Sequence, residues 1–572
     1  MCGIHALIGD VSRLDDMVQA TANRGPDATG VWSEARLGLG HNRLSILDLS
    51  EAGSQPMWNA DKTIGIVYNG EIYNHLDLRS RITNSEFRFR STSDTETILA
   101  LYEEEGIRLV DKLWGMYAFV LFDKRNNTIH AVRDPDGMKP LVYAERKGEW
   151  AFASELASLF ARFKPEAIDP EALRWYLAMG YVPAPRTFYK GFSALRPGEI
   201  LSVSIADGTQ THGNVQRARP IRPADFSSSL RASLERHLLS DVPVGLFLSG
   251  GLDSSVLAAG LVKDLNVRPE SFHVSIPGRR DTENAHVVAS SLGLKLHEVS
   301  WSGEDAVRQV ENAILTLSQP LADIAFLPLL KVSELASKYV KVVLSGDGAD
   351  ELFFGYGRHS YIAGRAVKKS DDVMMGLYSL LPRRLRAGAL RFSGDTLGVY
   401  LDQMRLSDRG IVPSAKELQM LLEQRNIKQG EDLDRHVYLS EDLLPKTDWA
   451  GMHFGLEGRL PFLDPVMQDF ADGLPADQKR KNGIGKTPLR NFLKERGLGS
   501  ISMQGKQGFG IPVRELVQAN RSKFDASIRM FLKRPEAQQI FGKTTSSELL
   551  DREPVMAYAC AMAELVSRKN GV

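Results

Sequence analysis

The feature that most restricts the fold is a glycine-rich turn in the segment LFLSGGLDSSVLAAGLV, residues 246–262. The apolar run before the turn predicts a buried strand, and the residues from Asp253 onward predict a helix. Gly250 and Gly251 let the backbone approach a ligand closely, and a helix start offers unpaired N–H groups and the positive end of the helix dipole. The turn is therefore suited to a phosphate chain, with an ordinary glycine-rich βα turn as the plainer alternative.

Strand and helix patterns alternate after this turn, through ESFHVSIPG, ENAHVVASSLG, HEVSW and KVVLSGDGADELF. This alternation predicts a parallel sheet with helices on its faces. The last segment places Asp347, Asp350 and Glu351 directly after a strand, where carboxylates suit Mg²⁺ on a nucleotide phosphate chain. A solvated acidic loop is the alternative. From about Lys368 onward the strand signal disappears, and we expect mostly helix.

The earlier part of the chain has a different pattern. Short β-like runs broken by Gly, Asn and Asp dominate it, and two helices are predicted, in SDTETILALYEEEG and DPEALRWYLAMG. We therefore expect an α+β domain over residues 2–207, a polar linker over 208–223 and a second domain over 224–572.

The first of two cysteines, Cys2, directly follows the initiator methionine; the other is Cys560. Removal of Met1 would leave a thiol and a free α-amine on one residue. Because the amine titrates near pH ~8 and the thiol near pH ~8.5, the amine can accept the thiol proton. A buried, inert cysteine is the alternative.

Charge and cysteine content exclude several classes. Lys plus Arg and Asp plus Glu number 71 each, which gives no bias toward nucleic acid or an anionic membrane. Two cysteines cannot form a disulfide framework, and no apolar run approaches the roughly 18 residues of a membrane span. We expect a cytoplasmic protein without a nucleic-acid or membrane partner.

Ordered motifs extend over nearly the whole chain. They are NRGPDATG, HNRLSILDLSEAGSQPM, VYNGEIYN, STSDTETIL, RDPDGMKPL, SGGLDSS, LSGDGADE, DWAGMHFGLEGRLPFLD, GKTPLR and KQGFGIPV. With Cys2, they resemble the glutamine-hydrolysing asparagine synthetase family. The resemblance implies an N-terminal nucleophile hydrolase sandwich (αββα), a class II glutamine amidotransferase domain. An α/β PP-loop ATP-binding domain with a parallel sheet and a helical C-terminal part would follow.

The resemblance also implies a glutamine site around Cys2. An Arg fork and an acid are expected for the carboxylate and ammonium of glutamine, and an amide with a backbone N–H for the developing oxyanion. The matching residues are Arg43 and Asp94 for the first pair, Asn69 and Gly70 for the second, and Glu71 for a further substrate contact. Without the resemblance, Asn-Gly is typical of a hairpin turn.

In the second domain the resemblance implies an ATP site and two Mg²⁺ ligands, Asp253 and Asp350. Asp347 matches an acidic residue of the acyl-adenylate step, and Lys486 matches a lysine near the phosphates and the ammonia attack. The matching ATP-binding residues are Leu248, Ser249, Gly250, Gly251, Asp253, Ser254, Val274, Ser345 and Gly346.

The implied reaction forms an amide from glutamine, ATP and aspartate, with a homodimer as the family's assembly. Asp323, Ile324, Ala325 and Phe326 stand where some family members carry the Thr and Arg that bind aspartate. Further departures, expected around the same acceptor, are Phe354, Trp449 and Gly455.

These departures leave the acceptor open. Amidation of another carboxylate, such as a uronic acid, a peptide or a secondary-metabolite acid, is the alternative to aspartate. A β-lactam-forming synthetase fits less well because the glutamine site is intact. Zero net charge disfavours an RNA-modifying PP-loop enzyme, and the complete motifs disfavour a non-catalytic scaffold.

Overall fold

The computed structural model describes residues 2–83, 87–217, 225–359, 401, 403–406, 409–427, 430–505 and 510–572. The first part of the chain forms twelve strands: β1 (Gly3–Ile8), β2 (Ala28–Glu34), β3 (Leu37–Arg43), β4 (Met57–Trp58), β5 (Ile64–Ile72), β6 (Gly115–Asp123), β7 (Thr128–Arg133), β8 (Val142–Arg146), β9 (Glu149–Ala153), β10 (Ser193–Ala194), β11 (Glu199–Ser204) and β12 (Gln210–Asn214). Its α-helices are α1 (Leu14–Gln19), α2 (His75–Ser80), α3 (Asp94–Glu105), α4 (Leu156–Arg162) and α5 (Pro170–Met179).

These strands form two six-stranded antiparallel sheets, in the orders β10-β8-β9-β1-β3-β2 and β12-β11-β7-β6-β5-β4. Side chains alternate across each strand, so Ile4, Ala6 and Ile8 of β1 face the other sheet and pack with Val67 and Val120. Helices α1 and α4 cover the outer face of the first sheet, and α3 covers that of the second. The αββα sandwich that the resemblance implied is confirmed.

The two helices predicted in this part are present, and local chemistry explains where they begin. The Ser93 side chain accepts the Thr95 N–H before α3, and the Asp169 side chain accepts two N–H groups before α5. Such caps satisfy the first unpaired N–H groups of a helix.

The second part of the chain is built on a parallel sheet. Its strands are β13 (Val244–Phe247), β14 (Ser271–Ser275), β15 (Leu296–Ser300), β16 (Val342–Leu344) and β17 (Glu457–Arg459), in the order β15-β14-β13-β16-β17. The α-helices are α6 (Phe226–His237), α7 (Leu252–Ala259), α8 (Asp281–Leu292), α9 (Gly303–Thr316), α10 (Phe326–Ala336), α11 (Ala349–Phe353), α12 (Ala415–Gln424), α13 (Gly430–Leu433), α14 (Leu444–Met452), α15 (Pro465–Gly473), α16 (Ala476–Lys479), α17 (Thr487–Glu495), α18 (Gly499–Ser502), α19 (Val513–Ala519), α20 (Arg521–Phe531), α21 (Pro535–Phe541), α22 (Ser546–Arg552) and α23 (Pro554–Lys569).

In the C-terminal part expected to be helical, residues 368–400 lie outside the described residues, and the described remainder contains one strand. Strand β17 pairs in parallel with β16 and forms one edge of the sheet. With only three residues, Glu457, Gly458 and Arg459, it carries neither the alternation nor the β-branched residues that identify a strand in a sequence.

The predicted linker needs a correction as well. Residues Gln210–Asn214 form β12, which pairs with β11 at the edge of the second sheet, although the whole of 208–223 was expected to be a loop. Polar residues suit this edge strand because Gln210, Thr211 and His212 are exposed. Residues 218–224 and the KQGF portion of KQGFGIPV lie outside the described residues.

The two sheet systems share apolar clusters of buried residues, and polar contacts join them as well. The guanidinium of Arg24, fully buried, donates to both carboxylate oxygens of Asp448 at 2.8 and 3.2 Å and to Glu155 at 2.5 Å. On the other side, the hydroxyl of Tyr176 in α5 donates to the Ala559 carbonyl of α23 at 2.9 Å. Of the helices within the described ranges, none has the length and apolar character that crossing a membrane requires.

Candidate functional site

A small cavity of about 40 Å³ lies at the start of β1. The residues lining it include five of the six predicted for the glutamine site: Cys2, Arg43, Gly70, Glu71 and Asp94. The sixth, Asn69, accepts the Cys2 N–H on its Oδ1 atom at 2.9 Å. The structure therefore brings all six together.

Cys2 is buried beside the loop that follows β3. Its Sγ atom lies 4.0 Å from the carbonyl oxygen of Leu44, and its own carbonyl accepts from Arg24 Nε at 3.1 Å. Burial raises the pKa of the Cys2 thiol above its ordinary value. Deprotonation therefore requires a base close by.

Asn69 and Gly70 lie inside strand β5, where they pair with Ala118 and Tyr117 of β6. They are not the hairpin turn that an isolated Asn-Gly suggests. A Cβ atom at position 70 would lie 2.1 Å from the Met116 carbonyl oxygen, so only glycine fits this close strand pairing. Among the residues that the structure describes, the buried Asn69 Nδ2 has no hydrogen-bond partner.

Arg43 and Asp94, which both line the cavity, are held in place by hydrogen bonds. The Arg43 guanidinium donates to the Ser50 carbonyl at 2.7 Å and to the Asp48 carbonyl, which orders the loop after β3. Asp94 Oδ2 accepts from the Tyr68 hydroxyl at 2.7 Å and from the Ile72 N–H at 2.9 Å. Burial raises the pKa of Asp94, while these two donors favour its ionised form.

Two residues of the second domain complete this cavity, and the sequence analysis missed them. Glu457, at the start of β17, lines the cavity, and Arg459 donates to Glu71 Oε2 at 2.8 Å and to Glu457 Oε1 at 2.7 Å. The other carboxylate oxygen of Glu71 has no hydrogen-bond partner within the described part of the chain. Both residues occur in the quoted motif GLEGRLPF, but nothing local in that motif shows that it reaches the first domain.

A cleft of about 1130 Å³ opens at the carboxyl ends of the parallel strands, as expected for ligand sites in such sheets. The predicted residues that line it are Ser249, Gly251, Asp253, Ser254, Val274, Ser345, Gly346, Asp347, Asp350 and Lys486. Leu248 and Gly250 do not line it. The Leu248 side chain packs into the core beneath the cleft.

Glycines in and directly beside this cleft allow backbone segments to approach each other closely. Gly250 has a φ of +78°, and a Cβ atom there would lie 2.1 Å from the Asp281 carbonyl oxygen. At Gly346, a Cβ atom would lie 2.8 Å from the Asp253 Cβ. The glycine-rich turn after β13 and the acidic turn after β16 are therefore in direct contact.

The predicted metal ligands converge on Lys486. Its Nζ atom lies 2.7 Å from both carboxylate oxygens of Asp253 and 2.6 Å from Asp350 Oδ1. Burial disfavours the charged ammonium, yet the two carboxylates raise the pKa of Lys486 above its ordinary value. Gly355 permits this approach, since a Cβ atom there would lie 1.8 Å from Asp350 Oδ1 and 2.3 Å from Lys486 Cε.

Two carboxylates around one position suit Mg²⁺ bound to a nucleotide, because that ion takes only one or two protein carboxylates and completes its shell with phosphate and water. Asp253 and Asp350 supply carboxylates of this kind, and the ion would have to share them with the Lys486 ammonium that pairs with both in this structure. No cluster of three or more His, Cys, Asp or Glu side chains that could bind a metal occurs among the residues that the structure describes.

The part of the cleft around Asp323 contains further groups that were not predicted from the sequence. Lys446 Nζ donates to Asp323 Oδ2 at 2.5 Å, and Thr447 donates to Asp347 Oδ2 at 3.1 Å. Ile324 also lines the cleft. This part of the pocket therefore combines an ion pair with an apolar wall.

Phe354, Trp449 and Gly455 are the three further positions at which the sequence departs from the resembled family. Only Phe354 lies at this cleft. Phe354 lines it and ends α11 with a φ of 57°, a conformation that favours glycine and explains why the resembled family usually has Gly there. Trp449 is partly buried and packs against the apolar core, and Gly455 lies against Pro26 of the first domain. The expectation that all three surround the acceptor is wrong.

Comparison with known proteins separates the part of the chain with the antiparallel sheets from the part with the parallel sheet, as the structure does. A family model described as a glutamine amidotransferase domain matches residues 1–213, and one described as asparagine synthase matches residues 225–564. The chain belongs to the asparagine synthase family. As a member of this family it is an ATP-dependent ligase and a glutamine-dependent amidotransferase.

Relatives of this asparagine synthase family member share most of its length. Asparagine synthetase [glutamine-hydrolyzing] 1 of Bacillus subtilis is 31% identical over 552 residues, which cover 90% of this chain and 86% of that protein. Asparagine synthetase [glutamine-hydrolyzing] 3 of the same organism is 29% identical, with 96% and 94% covered. An Arabidopsis thaliana asparagine synthetase [glutamine-hydrolyzing] 3 is 34% identical, with 62% and 61% covered.

Proposed function

We propose that the enzyme is a glutamine-dependent asparagine synthetase that converts aspartate, ATP and glutamine into asparagine, AMP, pyrophosphate and glutamate. The observation that supports this most strongly is that β17 reaches both sites. Glu457, at its start, lines the Cys2 cavity, and the Arg459 carbonyl, at its end, accepts the N–H of Ser345 in the cleft at 2.9 Å. Two sites connected in this way suit an enzyme that releases ammonia at one of them and consumes it at the other.

At the first site, removal of Met1 exposes the α-amine of Cys2 as the base that the buried thiol requires. The sulfur attacks the side-chain amide of glutamine, which forms a thioester and releases ammonia. The unpartnered Nδ2 of Asn69 and the N–H of Gly70 stabilise the oxyanion that develops. Arg43, Asp94 and Glu71 bind the amino-acid end of glutamine, and water then hydrolyses the thioester.

At the second site, the turn around Ser249, Gly251 and Ser254 binds the phosphates of ATP, since its hydroxyls and the start of α7 face the cleft. The acceptor carboxylate attacks the α-phosphorus and pyrophosphate leaves, giving an acyl-AMP. Ammonia then attacks the acyl carbon and AMP departs. Adenylation is needed because a free carboxylate is a poor electrophile.

The remaining cleft residues take supporting roles in this proposal. Val274, Ser345 and Gly346 pack against the adenosine, and Asp347, fixed by Thr447, lies beside the acyl-adenylate. Asp253 and Asp350 would bind Mg²⁺, which neutralises phosphate charge when present. Lys486 supplies a fixed cation between these carboxylates and the phosphates.

Amidation of a different carboxylate is the second candidate, and the acceptor wall favours considering it. Asp323 is paired with Lys446, and Ile324 presents an apolar surface. A binding site for aspartate would require groups that bind its ammonium and its second carboxylate. An acid with fewer charges would suit that apolar wall better.

The deciding experiment is a pyrophosphate-release assay with ATP, Mg²⁺ and ammonium, in which aspartate is compared with uronic, peptidyl and simple monocarboxylic acids. We expect aspartate to give pyrophosphate and asparagine in equal amounts. If aspartate gives no product and another acid does, the proposal that aspartate is the acceptor is wrong.

We also infer a cytoplasmic location, supported by the two cysteines, which are both buried and unpaired.

A further inference from the structure

Arg459 is a fully buried arginine whose donors are divided between two domains. Nη2 donates to Glu71 of the first domain at 2.8 Å, and Nε donates to Glu457 at 2.7 Å. Nη1 donates to the carbonyls of His237 and Leu239, at the carboxyl end of α6, at 2.9 and 2.6 Å. One rigid guanidinium thus fixes the position of a cavity-lining carboxylate relative to the second domain.

The backbone of the same residue reaches the other site. The Arg459 carbonyl accepts the Ser345 N–H at 2.9 Å, and the Ser345 hydroxyl donates to Asp347 Oδ2 at 2.9 Å. Ser345 and Asp347 both line the nucleotide cleft. Three consecutive contacts therefore connect Glu71, in the Cys2 cavity, to the acidic turn of the cleft.

The charges at the cavity end make this connection sensitive to a ligand. Glu71 and Glu457 are 2% and 1% exposed and share one guanidinium, and no described residue forms a hydrogen bond with Glu71 Oε1. The bound amino-acid end of glutamine would bring an ammonium group to this unpaired oxygen. Because burial strengthens electrostatic interactions, a cation there redistributes the attraction between Arg459 and its two carboxylates.

We propose that Arg459 is a positioning residue that makes glutamine binding in the Cys2 cavity and nucleotide binding in the cleft depend on each other. This inference rests on the proposed function, since it assigns glutamine to the first site and ATP to the second. By linkage, each ligand must then change the affinity of the other by the same factor.

The test uses a Cys2→Ala background, in which glutamine binds without being consumed. Calorimetric titration with L-glutamine is performed with and without saturating α,β-methylene-ATP and Mg²⁺, and the reverse titration is performed with and without glutamine. We expect each ligand to change the affinity of the other by at least about fivefold, the lower range of allosteric couplings.

Two variants and one control separate coupling from folding. Arg459→Lys keeps the buried positive charge but cannot reach all four acceptors, and Glu457→Gln keeps the shape of the side chain. Both should lose the coupling factor. Lys341→Gln is the control, because it breaks the 2.7 Å pair of Lys341 with Asp27, which joins the same two domains directly before β16. It should leave the factor unchanged.

A merely structural role would lower the melting temperature without changing the coupling factor. Unchanged coupling in folded Glu457→Gln, or equal loss in Lys341→Gln, therefore overturns the inference. Binding of both ligands without coupling in the Cys2→Ala parent overturns it as well, and leaves the proposed function standing. Binding of neither ligand overturns both.

Discussion

Replacement of Gly70 by alanine should separate the two half-reactions. A Cβ atom at this position would lie 2.1 Å from the Met116 carbonyl oxygen and 2.7 Å from the Tyr117 Cα, both in the backbone of β6. Neither contact can be relieved by rotating a side chain. Strand β5 must therefore move away from β6 at the point where the proposed oxyanion donors lie.

The size of this movement can be worked from the contact. Tolerated Cβ contacts begin near 3.0 Å, so the Met116 contact must lengthen by about 1 Å from 2.1 Å. A misplacement of about 1 Å in a catalytic group can cost about 100-fold in rate, and overpacking of this kind costs about 1–3 kcal/mol of stability. We expect Gly70→Ala to lower kcat/KM for glutamine hydrolysis by about 100-fold, with ammonia-dependent synthesis retained.

The assay measures glutamate release from glutamine and, separately, amide formation from ammonium. Gly213→Ala is the matched control, because this glycine also lies in a strand of the second sheet and its nearest neighbour would be 3.8 Å from a Cβ atom. Glutamine hydrolysis within tenfold of the parent in Gly70→Ala would refute the argument, as would an equal loss in Gly213→Ala.

Three further substitutions test other parts of the molecule. Cys2→Ala should abolish glutamine-dependent synthesis and spare ammonia-dependent synthesis in an amide-formation assay; equal loss of both would contradict the division between sites. Gly355→Ala should abolish pyrophosphate release but not glutamine hydrolysis, since its Cβ would lie 1.8 Å from Asp350 and 2.3 Å from the Lys486 side chain. Normal pyrophosphate release in this variant would show that Gly355, Asp350 and Lys486 do not form part of the site. Burial lowers the pKa of His5 from 6.5 to about 4, so its contribution to stability is complete above pH 6.5 and is lost as the pH falls toward 4. Urea unfolding at several pH values should show a loss of up to about 1.4 kcal/mol per pH unit that His5→Gln removes, and an unchanged slope in this variant would be inconsistent with a buried neutral histidine.

Elements with local signals were predictable from the sequence. Helices α3 and α5 each begin at a residue whose side chain accepts backbone N–H groups, Ser93 and Asp169. The turn at Gly250 and Gly251 was predictable for a similar reason, because adjacent glycines between an apolar run and a helix have few other uses. Such signals lie within a few residues of the feature that they specify.

Features that depend on distant contacts could not be found this way. The strand position of Asn69 depends on pairing with β6, and without that pairing the same dipeptide suggests a turn. Glu457 belongs to the Cys2 cavity only because β17 pairs with β16. Likewise, Lys446 is held in the cleft by its ion pair with Asp323, which lies 123 residues earlier in the chain.

The three-residue strand β17 also limits how freely the two halves of this enzyme can be exchanged. A glutaminase half expressed alone would lose Glu457 from its cavity wall and would expose the Glu71 carboxylate that Arg459 neutralises. A chimera with the synthetase half of a relative would work only if that half supplied the same acid and arginine at the same edge of its sheet. For protein engineering, the unit that must be transplanted is therefore one domain together with this strand of the other.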